Sequence, residues 1–369
     1  MYLKNLQLNQ FKNYQKAKLE FSEEINCLVG INGSGKTNLL DAIHYLCLTK
    51  GAINVQDSQN ILHDADFFTV FGEFCLEDKV LEIRCVVEAG KKKQLIQNGK
   101  AIEKMSDHIG LLPVVMIAPD DTMLIKDGSE ERRRFFDNML CQLDKGYLDK
   151  LVRFQHFLKQ RNALMKQFSD SGKFNKNLLE PYDQEIIQLS RFISEERSRF
   201  LEGFKPLLLD HYANISGMRE GVDIQYSTTC LSTSFEREFV QNHQKDLALK
   251  RTTMGIHKDD FVFEIDGYPI KKFGSQGQQK SFVIALKLAQ FEIFHTMKGV
   301  KPVLLLDDIF DKLDDHRIEK LVKLVAEHKF GQLFITDARP ERSKAILNAI
   351  DAQTSFFVVD KGVVSTWDQ

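Results

Sequence analysis

Residues 30–37 read Gly30-Ile31-Asn32-Gly33-Ser34-Gly35-Lys36-Thr37 and follow the largely apolar run Ile25-Asn26-Cys27-Leu28-Val29. After the loop, Leu39, Leu40, Ile43, Leu46 and Cys47 recur at helical spacing, so the spacing predicts a helix over 37–48. The eight residues match G-x-x-x-x-G-K-[ST] in the context that gives the pattern meaning, between a strand and a helix. Glycines allow successive backbone N–H groups to turn toward one point, and the helix N-terminus adds a favourable dipole for phosphate. Lys36 is expected to bridge the β and γ phosphates of ATP, and Thr37 to place its hydroxyl on Mg2+. The expected nucleotide-binding set is Gly30, Ile31, Asn32, Gly33, Ser34, Gly35, Lys36, Thr37 and the adjoining Asn38.

A hydrolysing site also needs a carboxylate for the metal at the end of a neighbouring strand. Val303-Leu304-Leu305-Leu306 is a short continuous apolar strand that ends in Asp307-Asp308. Asp307 is the expected Mg2+ partner. Asp308 is the expected catalytic carboxylate beside it, orienting or deprotonating the attacking water. Alone, two aspartates after an apolar strand describe a solvated strand end; the phosphate loop turns them into a site.

A third segment, Phe273-Gly274-Ser275-Gln276-Gly277-Gln278-Gln279-Lys280, opens a long apolar helix over 281–294. Ser275 is placed to cap it, and Gly277 would let a ligand approach the backbone. Ser275 lies 239 residues beyond Lys36 (275 − 36). Much of the interval is helical in character. Ser129, with Glu130 and Glu131 behind it, suits a helix start. Leu151, Phe154, Leu158, Met165 and Phe168 form one apolar stripe, and Ile186, Ile193, Phe200 and Phe204 form another before Pro206. Joined by the polar loop Ser169-Asp170-Ser171-Gly172-Lys173-Phe174-Asn175-Lys176-Asn177, they predict an antiparallel helical arm roughly 30 Å long. Strands are expected at 2–8, 17–21, 25–29, 69–76, 80–87, 94–96, 114–117, 262–265, 303–306 and 333–335. The fold class is therefore α/β, a P-loop ATPase head with a mixed sheet and an inserted helical lobe. The head is expected to take residues 1–118 and 246–369, and the lobe 119–245.

Fifty Lys and Arg against 52 Asp and Glu leave a net charge of -2, so contact with nucleic acid must come from local basic patches. Candidates are Lys91-Lys92-Lys93, Arg132-Arg133-Arg134, and Lys159, Arg161 and Lys166 on the arm. Such side chains neutralise phosphates without reading sequence, and any such run can equally be a solvated face. Six cysteines without a C-x-x-C pair suit a reducing, cytoplasmic setting. The first fifteen residues alternate polar and apolar, unlike a signal peptide. No run of about eighteen apolar residues suggests a membrane span.

The three nucleotide segments together resemble the Walker A loop, LSGGQ-like signature and Walker B strand of ABC-type ATPases. In such proteins the signature serine and glycine of one subunit complete the γ-phosphate site of another, which implies an ATP-dependent head-to-tail homodimer using Ser275, Gly277 and Gln278. The long spacing and helical insertion are unlike transporter subunits and resemble the SMC-like branch, within it the RecF family. The carriers are LQLNQFKNY, GINGSGKTNLLDAIHYL, APDDTMLIKDGSEERRRFFD, YLDKLVRFQHFLKQRNALMK, TTMGIHKDDFVFEIDG, FGSQGQQKSFVIALKLA and LLLDDIFDKLDDHR. By position, Leu313 and Asp314 resemble the D-loop that crosses the dimer interface. His257, Lys258, Asp259 and Asp260 resemble a G-P-H-R-D-D stretch, with Ile256 and Lys258 departing from it. Gly51-Ala52-Ile53-Asn54-Val55 departs from the arginine and threonine usual after the first helix. Thr336-Asp337 stands where transporters keep a histidine switch, which fits slow, DNA-stimulated hydrolysis. No glutamine near Pro119-Asp120 suits a Q-loop.

The resemblance implies binding to double-stranded DNA near single-strand gaps, and recombinase loading with RecO and RecR partners. The competing enzyme reading is a nuclease-associated ATPase or phosphotransferase. A purely structural dimer would leave all three nucleotide segments unused.

Overall fold

The computed structural model describes residues 1–53, 56–77, 79–217, 220–309, 330–349 and 351–367. They divide into two compact units, Met1–Asp121 with Lys287–Gln369, and Thr122–Leu286.

The first unit opens with the antiparallel pair β1 (Tyr2–Phe11) and β2 (Tyr14–Glu20), then β3 (Ile25–Val29) and α1 (Lys36–Leu48). β4 (Phe67–Leu76), β5 (Lys79–Glu88), β6 (Gln94–Gln97) and β7 (Lys100–Ala101) complete an antiparallel sheet in the order β2-β1-β4-β5-β6-β7. Alternation in β4, where every second residue is buried, reflects a sheet with one face on the core. β8 (Val114–Ile117) is buried at all four positions and belongs to a second sheet.

The chain then enters the second unit through α2 (Met123–Lys126), α3 (Ser129–Leu143), α4 (Lys145–Ser171) and α5 (Lys176–Ser216). Asp144 caps α4 by accepting the Gly146 N–H at 2.7 Å. Gly172 ends α4 in the left-handed conformation, and Asn175 caps α5 by accepting the Asn177 N–H at 3.0 Å. The arm is a pair of helices whose stripes meet: Leu151 and Phe154 share a core with Ile186 and Ile193, and Met165 and Phe168 pack with Leu179. α5 runs through Pro206 to Ser216, since Leu208, Tyr212 and Ile215 beyond it are buried, and that packing outweighs the lost backbone bond. Ser129 is the first residue of α3 and its hydroxyl accepts from Arg133 at 2.6 Å instead of capping the backbone.

β9 (Val222–Ser227), α6 (Phe235–Gln241), α7 (His243–Leu249), β10 (Asp260–Ile265), β11 (Tyr268–Pro269) and α8 (Ile270–Phe273) follow. The 262–265 strand, expected in the ATPase sheet, instead pairs with β9 and β11 in a three-stranded antiparallel sheet. Phe261 of β10 stacks on Phe136 of α3 with ring centroids 4.0 Å apart. This packing keeps the segment in the second unit, so the chain changes unit at 286–287 and not near residue 246.

α9 (Gln276–Lys298) begins in the second unit, and from Lys287 onward it belongs to the first. There the Lys287 ammonium donates to the Met116 carbonyl at 2.8 Å and pairs with Asp121 at 2.7 Å. β12 (Val303–Leu306), β13 (Leu333–Asp337), α10 (Pro340–Leu347), β14 (Thr354–Asp360) and β15 (Val363–Thr366) finish the unit. The second sheet runs β15-β14-β3-β13-β12-β8, with β3 flanked in parallel by β14 and β13. β3, β12 and β13 are buried at every position, as strands covered on both faces must be. α1 packs against strands of both sheets and is buried nearly all round, which explains its apolar surface. Gln332 joins the sheets: its amide exchanges two hydrogen bonds with the Leu3 backbone, at 2.7 and 2.8 Å, and donates to Ser22.

Candidate nucleotide site

The loop between β3 and α1 is built by sterics. At Gly35 φ is 118°, and a Cβ there would lie 2.5 Å from Asn13 Nδ2. At Gly30 a Cβ would meet the Val359 carbonyl oxygen at 2.2 Å, so β14 also requires glycine. No side chain caps the N-terminus of α1, which leaves its first N–H groups to the loop's interior. Lys36 is buried, and its ammonium donates to the carbonyls of Gly30 at 2.8 Å and Ile31 at 3.2 Å. Ile31 is two-thirds exposed, and the Ser34 hydroxyl is buried without a hydrogen-bond partner among the described residues.

Three consecutive residues, the β1–β2 turn and the first residue of β2, grip the loop and α1 at three-residue intervals. Tyr14 donates to the Gly35 carbonyl at 2.8 Å, Asn13 accepts from Asn38 at 2.7 Å, and Lys12 pairs with Asp41 at 2.6 Å. Asn13 also donates to the Ser34 carbonyl at 3.0 Å. Gly35, Asn38 and Asp41 share one helix face because side chains three apart are neighbours. In the sequence, Lys12, Asn13 and Tyr14 have nothing to distinguish them beyond their place in the LQLNQFKNY stretch. A polar triplet in a hairpin turn carries no signal until its partner helix is known.

The strand-end aspartates meet the loop. Thr37 Oγ1 donates to Asp307 Oδ1 at 2.9 Å, bringing together residues 270 apart in sequence. Thr336 Oγ1 donates to the same oxygen at 2.8 Å and accepts the Asp308 N–H at 2.8 Å. Burial pushes the Asp307 carboxyl above the ordinary carboxylate value, while the two hydroxyl donors pull it back. Asp308 adopts φ 45°, and its Oδ1 is buried without a hydrogen-bond partner among the described residues. Asp337, at the position of the transporter switch, is turned away. It accepts from Arg342 at 2.8 Å, from the Arg339 N–H at 3.2 Å and from Ser343, all at the start of α10.

In the second unit, Ser275 and Gln278 form a reciprocal cap at the start of α9. The Ser275 N–H donates to Gln278 Oε1 at 2.7 Å, and the Gln278 N–H donates to Ser275 Oγ at 3.3 Å. Ser275 is exposed, and Gly277 lies in the helix's first turn. Leu313 and Asp314 lie outside the described residues, as do Asn54 and Val55.

A family model described as RecF/RecN/SMC N terminal domain matches residues 2–364. The chain belongs to this family. It is 46% identical over 364 residues to the DNA replication and repair protein RecF of Cytophaga hutchinsonii, covering 99% of this chain and 96% of that protein. It is 47% identical over 349 residues to RecF of Flavobacterium johnsoniae, covering 95% and 97%. A solved structure of the recombination mediator protein RecF-ATP in the RecFOR pathway superposes with a TM-score of 0.88 at 28% identity, covering 99% of both chains. The architecture is thus an SMC/RecF-like ATPase head with a helical insert.

The RecF-type stretch His257-Lys258-Asp259-Asp260 is an internal hub. Asp259 is buried and accepts from Arg197 at 3.2 Å and from Tyr226, while Arg133 donates to its carbonyl at 2.6 Å. Asp260 takes a two-pronged bond from Arg132, at 2.8 and 2.9 Å. His257 Nε2 donates to the Thr252 carbonyl at 3.0 Å, and burial lowers its pKa to about 4. The basic clusters expected to meet nucleic acid shrink accordingly, because most of their members already have partners. Arg161 is fully buried between Asp183 and Asp246, both at 2.7 Å. Arg134 pairs with Glu131, Lys91 with Glu88, and Lys93 with Asp57. Lys92, Lys159 and Lys166 remain exposed. Among the described residues, no helix is long and apolar enough to cross a membrane.

Proposed function

We propose that this RecF-family chain is an ATP-gated DNA-binding protein of recombinational repair and replication restart. One observation carries the reading: a phosphate loop with an uncapped helix end has its threonine hydroxyl 2.9 Å from a buried carboxylate at the end of a neighbouring strand. That pair suits Mg2+, which takes oxygen ligands, uses one or two protein groups and leaves its other positions to phosphate and water. Thr37 and Asp307 would hold it, and bound Mg2+ would neutralise charge on the β and γ phosphates. Lys36 would leave the Gly30 and Ile31 carbonyls for the phosphates. Asp308 would accept a proton from the water that attacks the γ-phosphorus as the bond to the ADP oxygen breaks. The solved RecF-ATP relative supports ATP as the nucleotide.

The exposed Ser275, with Gly277 and Gln278 behind it, would close over the γ-phosphate held by a second copy, so ATP would act as a clamp. That the RecF relatives are DNA replication and repair proteins, and that the solved one is a recombination mediator of the RecFOR pathway, supports duplex DNA near gaps as ligand and RecO- and RecR-type proteins as partners. Hydrolysis would be slow and would serve to open the clamp. The setting would be cytoplasmic, at the nucleoid.

Sedimentation with and without ATP and Mg2+ tests this. The wild-type mass should double with ATP, whereas Ser275→Arg should still bind ATP and remain single. A wild-type mass indifferent to ATP would sink the clamp. Gapped duplex should be retained more tightly than plain duplex only when ATP is present.

A further inference from the structure

We propose that Thr336 is a positioning residue for hydrolysis, its hydroxyl tying the Asp307 carboxylate to the Asp308 backbone; the inference rests on the ATPase reading above. Thr336 is fully buried, so it acts through its neighbours and not on the nucleotide. A hydroxyl has one proton and two lone pairs, and here both roles are used. The proton goes to Asp307 Oδ1 at 2.8 Å, and a lone pair accepts the Asp308 N–H at 2.8 Å. Thr37 donates to that same Oδ1, so among the described residues both hydrogen bonds to the carboxylate fall on one oxygen. The carboxylate plane is thereby set by two hydroxyls from two different elements, α1 and β13.

The second bond matters for Asp308. Its φ of 45° lies in the left-handed region that non-glycine residues avoid, and its Oδ1 is buried with no partner among the described residues. A strained backbone and an unsatisfied carboxylate oxygen persist only where surroundings hold them, and the Thr336 hydroxyl is the described group that holds this N–H. Strand alternation explains why Thr336 and not Asp337 does so. Successive side chains of β13 point to opposite faces, and Asp337 is spent on Arg342, Ser343 and the start of α10. Asp337 stands at the switch position and is held by α10, while its neighbour Thr336 sets the two aspartates from behind.

The full chain with Thr336→Val, which keeps the shape and removes both hydrogen bonds, and with Thr336→Ser, which keeps them, decides the matter. In Thr336→Val, kcat for ATP should fall about tenfold to a hundredfold, the range for partners that orient metal ligands. Binding of a fluorescent ATP analogue in EDTA should stay within about twofold of wild type, as should KM. Mn2+ affinity of the nucleotide complex, read by electron paramagnetic resonance, should weaken by about tenfold. Thr336→Ser should recover kcat to within about threefold of wild type. Equal kcat and Mn2+ affinity in Thr336→Val, or equal losses in both variants, overturns the proposal. Should Thr336→Val lose nucleotide binding in EDTA through misfolding, Thr336→Ala against Thr336→Ser makes the same comparison. A wild-type chain that binds no ATP defeats the ATPase reading itself, whereas an active wild type with an unaffected valine variant defeats only the role of Thr336.

Discussion

Buried charge is handled in opposite ways by the core of the second unit and the nucleotide site of the first, although elsewhere the first unit also pairs the buried Asp41 with Lys12. In the second unit the two large, fully buried guanidinium groups each sit between carboxylates: Arg161 between Asp183 and Asp246, Arg197 between Asp137 and Asp259. In the first unit, Asp307 is buried with hydroxyl donors but no ion pair among the described residues, and Asp308 has a buried oxygen with no described partner. Desolvating a carboxylate without a counter-charge is costly, so a protein keeps one only where something else supplies the charge. Paired burial marks architecture, and unpaired burial marks a place for a ligand.

Arg161→Ala should break this contrast most visibly if it is false. Leaving Asp183 and Asp246 buried without their cation should destabilise the helical unit by about 3–5 kcal/mol. Denaturant melts, with hydrogen exchange over α4 and α5, would register it, while ATP-analogue binding should not move. An unchanged melt would mean that the pairs are not what holds this unit. A smaller effect, of up to about 3 kcal/mol, is expected from pH through His257. Its folded pKa is about 4 against an ordinary 6.5, because burial disfavours the charged ring. As pH falls below about 6.5 the unfolded chain takes up the proton first, so stability is lost progressively down to about pH 4. His257→Gln should flatten that part of the pH profile; an identical slope would assign it to other groups. The smallest effect belongs to Ser275→Ala, which removes one half of a reciprocal cap and should cost about 1 kcal/mol in the first turn of α9. If ATP-dependent mass is lost in that variant while the melt shifts only slightly, Ser275 is a ligand group and not merely a cap.

Legibility in the sequence follows periodicity and spacing. The phosphate loop, the apolar strand before Asp307 and the arm's two stripes are local patterns, and each appears in place. Val262 to Ile265 reads as a strand, and is one, but its sheet is not legible: its partner β9 alternates apolar and polar residues, and alternation marks a strand without saying which sheet it joins. The basic runs are the least legible. Arg132, Arg133 and Arg161 look like surface charge in one dimension, and only folding supplies Asp260, the Asp259 carbonyl, Asp183 and Asp246 beside them. Thr336 gives no signal beyond standing next to a switch position.

By itself the sequence determined the kind of chemistry, because a phosphate cradle is made by a run of eight adjacent residues whose backbone angles are a local property. Which distant groups share that cradle was decided only by tertiary structure. Thr37, Asp307 and Thr336 meet because β3, β13 and β12 lie side by side and parallel in one sheet. Strand order in such a sheet is set by how buried faces pack, and no local spacing encodes it.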